Sequence, residues 1–466
     1  MIILGTNSIK DTGFDVANSC RFNSASSDSM TRDNGTPTDL KKFSISLWHK
    51  RAEMPDNKYL ITGFDDEDNR TLLQFSSDQL LFQNQTGGSN NTIIKSNAKF
   101  RDPSAWYHFC IIVDTTQGTD TNRVKMYVNG SQVTSLASST YPSVNTDMEL
   151  TDSANSILLN QKGDGSDFNS GYYSEVVVLD GTAASITDFG EFDEDSGIWK
   201  PISVSGLTFG NNGFYLDFEN SGALGADVSG NTNNFTVNNL TATDQSTDTC
   251  TNNFATLNPL RTQAGYTKVM SEGNCVWEHG QAGQNASIPS TIAASSGKWY
   301  AEFLCSTSAN NWGFGIAQVN VTNNGSMAGY PDSQGGVTYV KNGNLSWYAG
   351  GDQSSDTGTT FAADDIIAIL MDLDNTRVYW YKNDTLVNSG GFDYSVVNSG
   401  STIENNYYFM VGATDDGTNP IIKANFGGSP GFAISSGNTD GNGYGNFEFA
   451  TKGGYALNTK NLAEYG

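Results

Sequence analysis

Residues 106–133 read WYHFCIIVDTTQGTDTNRVKMYVNGSQV, and the fold can be read outward from this stretch. The run at 106–113 is apolar, short and rich in β-branched and aromatic residues, the pattern of a strand buried on both faces rather than of a helix. Val124, Met126 and Val128 then alternate with Lys125, Tyr127 and Asn129, so the returning strand has one apolar and one wet face. Asn129 and Gly130 follow, a pair that tolerates positive φ at both centres of a type I′ turn and so matches the twist of a tight hairpin. The same design recurs later in the chain. DIIAILM at 365–371 passes through Asp372-Leu373-Asp374-Asn375, returns as RVYWYK at 377–382 and closes on Asn383 and Asp384. Two β domains in series are expected.

Composition supports this. Gly is abundant, with 50 of 466 residues, charged residues make up 16%, and the polar remainder is dominated by Asn, Ser and Thr, which favour turns over helices. A chain of this length can bury two cores of ordinary size without a staple. Cys20, Cys110, Cys250, Cys275 and Cys305 are odd in number and widely spaced, so neither a disulfide framework nor a tetrahedral metal site is expected. A formal charge of −25 argues against nucleic acid and anionic membranes, both of which need clustered Lys and Arg. The N-terminal MIILGTNSIK carries no basic leader, and no segment is long and apolar enough for a transmembrane helix, so synthesis in the cytosol without membrane insertion is expected.

Along the chain, Phe43, Ile45 and Leu47 point one way while Ser44, Ser46, Trp48 and Lys50 point the other. Trp48 therefore stands on the polar face, where it either stacks on a sugar ring or packs against a loop or a neighbouring subunit. Strands follow at 59–63, 71–75, 80–83 and 92–95, and those at 156–159 and 172–179 complete the first sandwich. FSISLW, WYHFCIIVD and VKMYVNG, taken in this order, resemble the LamG-like jelly roll of the concanavalin-type lectin and glucanase superfamily over about the first 190 residues. That resemblance implies two stacked antiparallel sheets, and its members include both binders and glucanases.

The middle of the chain holds GFYLDF at 213–218, LGADVSGN at 224–231 and NFATLNP at 253–259, with FGEF and GIWKP upstream. These phrases resemble segments of tail-fibre and other structural proteins of tailed bacteriophages. With only two short strand candidates, 214–218 and 235–237, the region has too little apolar material for its own core and reads as a connector packed on the first sandwich. Further on, GKWYAEF at 297–303, WGFGI at 312–316, DDIIAI at 364–369 and VYWYKN at 378–383 resemble a SPRY-like domain. Ala368 and Asp384 stand where that family usually has Gly, which predicts a looser second hairpin turn. The expected architecture is all-β, two tandem concanavalin-like jelly-roll sandwiches joined by a strand-poor connector: residues 1–190 with an N-terminal arm, 191–257, and 258–466 with a short C-terminal tail.

Few residues suggest catalysis. Glu191-Phe-Asp193-Glu194 resembles the Glu-x-Asp-x-Glu run of concanavalin-type glucanases, but only Glu191 and Asp193 would share a strand face, and the flanks read as turns. His49, His108 and His279 lie far apart, and no nucleophile elbow is present. No catalytic residue and no enzyme activity are expected. Acidic loops at 65–69, 164–167 and 415–419 offer the hard oxygen ligands that Ca2+ takes, although solvated acidic turns are common in so acidic a chain; no cofactor is expected, and calcium is the one open option.

Loops at strand ends are the expected binding surface. In the second domain these carry Tyr330, Trp347, Tyr348, Asp352, Asp415 and Asp416. Trp347 and Tyr348 would stack on a sugar face while Asp352 and Asp415 accept hydroxyl hydrogen bonds; alternatively Leu345 and Trp347 continue a buried strand. The expected function is a virion tail fibre or appendage attaching to a host glycan or protein receptor, made in the host cytoplasm and assembled with other tail proteins. Exposed aromatics such as Trp48, Tyr141 and Tyr172 would then lie at the contacts of a homotrimer. A capsid or tail decoration protein and a polysaccharide depolymerase are the alternatives.

Overall fold

The computed structural model describes residues 11–54, 56–261, 268–280, 285–307, 311–318, 335–349, 352–397, 406–414, 417 and 419–466. Thr12–Thr251 forms one compact unit, and Asn252–Gly466 makes up the body of a second. Both are β-sandwiches, and among the described residues the only α-helix is Thr459–Tyr465.

In the first unit, one sheet runs in the spatial order Ser131–Gln132, Val124–Val128, Trp106–Asp114, Lys42–Arg51, Gly171–Asp180, Ser19–Phe22 and Gln245–Ser246, with Phe214–Leu216 also paired to Gly171–Asp180. The opposing sheet runs Leu136–Thr140, Ser89–Lys99, Gln79–Thr86, Arg70–Ser76, Lys58–Phe64, Ser156–Leu159, Ser29–Asp33 and Thr236–Asn238. All these pairings are antiparallel. Phe43, Ile45 and Leu47, with Phe109 beside them on the same sheet, face Leu73, Phe75 and Phe82 of the other in one buried core, as the alternation requires.

The opening hairpin forms as read. Val128 pairs with Ser131 across a turn in which Asn129 has φ 46° and Gly130 φ 74°. Asn129 is also tied sideways: its N–H donates to the His108 carbonyl at 2.9 Å, and its Oδ1 accepts from the His108 N–H at 2.8 Å. The second hairpin repeats this arrangement with Asn383 and Ile366, at 2.9 Å in both directions. Its turn is no looser than the first. Lys382 pairs with Thr385 across Asn383 and Asp384, at φ 44° and 72°. Asp tolerates the left-handed region better than most side chains, so Gly is not required here.

The expected connector is part of the first sandwich. Phe214–Leu216 adds to one sheet and Thr236–Asn238 extends the other, while Phe214, Leu216, Phe218, Leu224 and Phe235 enter the core. The Asp227 carboxylate organises the loop between these strands by accepting the backbone N–H groups of Tyr215, Ser229 and Asn233. Asn231 and Asn233 donate to the Gly213 carbonyl. The LGADVSGN phrase thus replaces missing apolar burial with side-chain caps of backbone polar groups.

In the second unit, one sheet runs Lys268–Ser271, Val276–His279, Ile421–Asn425, Lys298–Cys305, Ile367–Asp372, Arg377–Lys382 and Thr385–Leu386. Phe392–Asp393 and Tyr455–Ala456 pair with it off this path. The other runs Asn285–Pro289, Tyr407–Thr414, Asn311–Gln318, Gly336–Val340, Asn344–Tyr348 and Asp352–Asp356. Four tryptophans, Trp277, Trp299, Trp312 and Trp380, are fully buried. Tyr444 and Phe447 pack with Tyr300 and Ala368 on the outer face of the first of these sheets, and Glu302 holds the segment that follows: its carboxylate accepts the N–H groups of Glu448 and Phe449, the Tyr300 hydroxyl and the Asn425 amide.

Candidate functional site

Trp347, Tyr348 and Asp352 come together, but in a strand hairpin rather than in loops. Asn344–Tyr348 pairs with the edge strand Asp352–Asp356, which sets Tyr348 opposite Asp352, Ser346 opposite Ser354 and Asn344 opposite Asp356. Cross-strand partners point to the same side, so these six side chains form one polar face. Every residue of Asp352–Asp356 is exposed, and the Tyr348 ring is half-buried. Leu345 and Trp347 point the other way. Leu345 is buried, and Trp347 packs against the core with its ring 4.9 Å from that of Phe392. The indole expected to stack on a sugar is therefore occupied by packing, because the alternation that exposes Tyr348 turns Trp347 inward. Tyr330, Asp415 and Asp416 lie outside the described residues.

Trp48 is not exposed. It is 4% accessible, in a cluster with Trp106, Tyr172 and Trp199, and Tyr172, expected at a subunit contact, is 1% accessible. Both lie on the outer face of their sheet, as the alternation required, but residues 189–209 cover that face with Phe189, Trp199, Val204 and Phe209. The polar face of an isolated strand is here a second, partly polar core.

Within this covered face, His108 lies between two partners. The Trp199 Nε1–H donates to His108 Nδ1 at 3.1 Å, and His108 Nε2 lies 2.8 Å from Ser46 Oγ. Nδ1 must then be unprotonated, and Nε2–H donates to the serine. Burial alone depresses His108 to a pKa of about 3. His49 is also held neutral, at about 3, by burial and then by the Arg51 charge; its Nε2 accepts from Asn169 Nδ2 at 3.2 Å. Neither histidine is available as a base near neutrality.

Two further buried groups escaped the sequence reading. Lys50 Nζ lies 2.6 Å from Asp248 Oδ2, with side chains 1% and 0% accessible, and Trp106 Nε1 donates to Asp248 Oδ1 at 2.9 Å. Glu175 sits in a bulge of Gly171–Asp180 at φ 49°. Its Oε2 accepts the Tyr215 hydroxyl at 2.6 Å, and burial raises its pKa to about 7. Lys50 was visible only as part of an alternating strand, and its partner lies 198 positions away; no local signal marks either pair.

The remaining acidic motifs serve turns. Lys200 Nζ lies 3.4 Å from Glu191 and 3.5 Å from Asp193, across the hairpin of Gly190–Phe192 and Trp199–Pro201. In the loop at 65–69, Asp66 Oδ1 accepts the N–H groups of Asp68 and Asn69, and Glu67 pairs with Arg70 and Lys162. Asp164 accepts from Ser166 and pairs with Lys162. Among the described residues no cluster of three or more His, Cys, Asp or Glu is arranged to hold a metal ion.

Comparison with known proteins adds the following. No curated protein matches the chain. Among solved structures, the chain is similar to the SPRY domain of human HERC1, at 17% identity over 36% of this chain and 96% of that one, with a TM-score of 0.28. It is similar to a putative carbohydrate binding protein from Bacteroides ovatus, at 16% identity over 49% of this chain and 60% of that one, with a TM-score of 0.35. A third similarity is to domain 4 of AbnA, an extracellular arabinanase from Geobacillus stearothermophilus solved with arabinotriose. There the identity is 18% over 32% of this chain and 66% of that one, with a TM-score of 0.24. Residues 24–185 match the family model Laminin_G_3, of the concanavalin A-like lectin/glucanases superfamily. The matched stretch contains the strands from Ser29–Asp33 to Gly171–Asp180, so the nearly all-β chain carries a concanavalin-like jelly roll in its first unit.

Proposed function

We propose that the chain is a glycan-binding component of a virion tail appendage that attaches to the host cell surface. The observation that carries the binding half of this reading is the hairpin face of Tyr348, Asp352, Ser346 and Ser354. A half-exposed phenol ring beside an exposed edge strand of hydroxyl and carboxylate groups suits a neutral sugar, which needs an aromatic surface for its C–H face and acceptors for its hydroxyls. The tail half rests on the resemblance of GFYLDF, LGADVSGN and NFATLNP to segments of phage structural proteins. Assembly as a homotrimer with other tail proteins belongs to the same reading.

The test has two arms. Purified full-length protein and a Tyr348→Ala, Asp352→Ala variant are compared for adsorption to host cells and for binding to host surface polysaccharide; loss of binding in a folded variant is expected, and unchanged binding sinks the hairpin site. Immunogold labelling of virions is expected to mark tails. Label on capsid faces would make this a decoration protein, and release of reducing sugar from host envelope by the purified chain would make it a depolymerase. A monomeric mass by light scattering at micromolar concentration would remove the trimer.

A further inference from the structure

In the first unit a lysine and an aspartate side chain face each other out of reach of water. Lys50, in the central strand Lys42–Arg51, places Nζ 2.6 Å from Oδ2 of Asp248, and both side chains are essentially inaccessible. Trp106 Nε1–H holds the other carboxylate oxygen at 2.9 Å. Trp106 and Tyr172, the cross-strand neighbours of Lys50, belong to an aromatic cluster with Trp48 and Trp199, and Lys50 Nζ lies 5.7 Å from the centre of the Tyr172 ring. The Asp248 backbone is itself fixed: its carbonyl accepts the Ser19 hydroxyl at 2.6 Å, and its N–H donates to Ser246 Oγ at 3.0 Å. Neither group can drift away from the other, and in such surroundings the charged forms lose their hydration.

We propose that Lys50 and Asp248 condense to an intramolecular amide, a covalent clasp between the central strand of the sheet and the end of the first unit. The steps balance without any outside reagent. First a proton crosses from the ammonium to Oδ2, a transfer along the existing 2.6 Å contact that leaves an amine and a carboxylic acid. The Nζ lone pair then attacks Cγ. Negative charge develops on Oδ1, where the Trp106 N–H already points, so the donor is in place before the reaction begins. A second proton moves from nitrogen to Oδ2, the C–Oδ2 bond breaks, water departs and the Cγ–Oδ1 carbonyl re-forms. Fixing the two groups in contact supplies the effective concentration that makes amide formation feasible despite its being unfavourable in dilute water. Exclusion of water from the site then protects the product from hydrolysis.

The clasp also has a mechanical meaning. It would bind the strand Lys42–Arg51 to residue 248 across 198 positions of sequence, so force applied to the end of this unit would be carried by a covalent bond rather than by sheet hydrogen bonds. This does not depend on what the second unit binds.

The test is intact-mass spectrometry of the purified, denatured full chain. A mass lower than that of the sequence by one water is expected, together with a branched tryptic peptide that joins the segments carrying Lys50 and Asp248. Trp106→Phe, which keeps the pair but removes the N–H, is expected to lower the fraction joined, and Lys50→Met and Asp248→Ala are expected to show the full sequence mass. The measurement on the unaltered chain decides the matter even if a variant fails to fold. The full sequence mass, or a water loss located in a linear Asp248 peptide as a cyclic imide, overturns the proposal.

Discussion

Trp199 donates its indole N–H to Nδ1 of His108 at 3.1 Å, and this one hydrogen bond ties the covering segment to the central hairpin while it dictates the tautomer of the imidazole. Protonating His108 at Nδ1 would turn that acceptor into a donor facing another donor. The arrangement holds only while the ring is neutral.

Acid is therefore expected to loosen the first unit. His108 and His49 are depressed to about 3 in the fold, whereas both titrate near 6.5 when unfolded. The unfolded chain binds more protons below that value, so stability is full above about pH 6.5 and falls as pH drops toward 3. By pH 5 each histidine should cost on the order of 2 kcal/mol. Urea midpoints for the full chain between pH 7.5 and 4.5 measure this, and His108→Gln should flatten part of the slope. A midpoint independent of pH in that window would contradict buried neutral histidines.

Glu175 has the opposite sign. Its pKa is raised to about 7 by burial, so the fold favours the protonated acid, and its contribution is complete below about pH 4.5 and lost as pH rises through 7. Glu175→Gln keeps an acceptor for the Tyr215 hydroxyl and has no charge to bury. It should stabilise the first unit by roughly 2–3 kcal/mol at pH 8 and have little effect at pH 4. Chemical denaturation at the two pH values distinguishes this from a general effect of the substitution.

Gly130 is expected to be intolerant of a side chain for two separable reasons. Its φ is 74°, and a methyl group built on it would overlap the Trp199 ring. Gly165 has the same φ with nothing within 4 Å. Gly165→Ala should therefore cost only the backbone term of about 1 kcal/mol, while Gly130→Ala should cost that plus displacement of Trp199, roughly 2–4 kcal/mol in all. Equal losses in thermal or urea denaturation would mean that the covering segment does not rest on the hairpin turn.

The candidate hairpin separates packing from recognition by one residue. Trp347→Ala should lower the stability of the second unit by roughly 2–4 kcal/mol, since the indole packs on the core and against Phe392. Tyr348→Ala, on the polar face, should change stability by less than about 1 kcal/mol and lower glycan affinity about tenfold or more, as for loss of one stacking ring. If the first variant lost binding without losing stability, the assignment of the two faces would be reversed.

Much of the fold was legible in local sequence. The alternation of Phe43, Ile45 and Leu47, the run at 106–113 and the turns at Asn129-Gly130 and Asn383-Asp384 each follow from strand periodicity and from the φ values that Asn, Gly and Asp accept, and no distant residue is needed to read them. Even the contrast between Trp347 and Tyr348 was implicit in the period of two, once the stretch is taken as a strand rather than a loop. What lay beyond local sequence depended on partners far along the chain. Trp48 stands on the side of its strand that alternation assigns it, yet it is buried, because Trp199 arrives from 151 positions later to cover it. Glu175 becomes a strained, half-neutral acid, and Lys50 acquires Asp248, only when Tyr215 and the end of the unit close over the same sheet. Periodicity fixes which way a side chain points; what it meets there, and hence its burial, protonation and reactivity, is decided by the tertiary contacts.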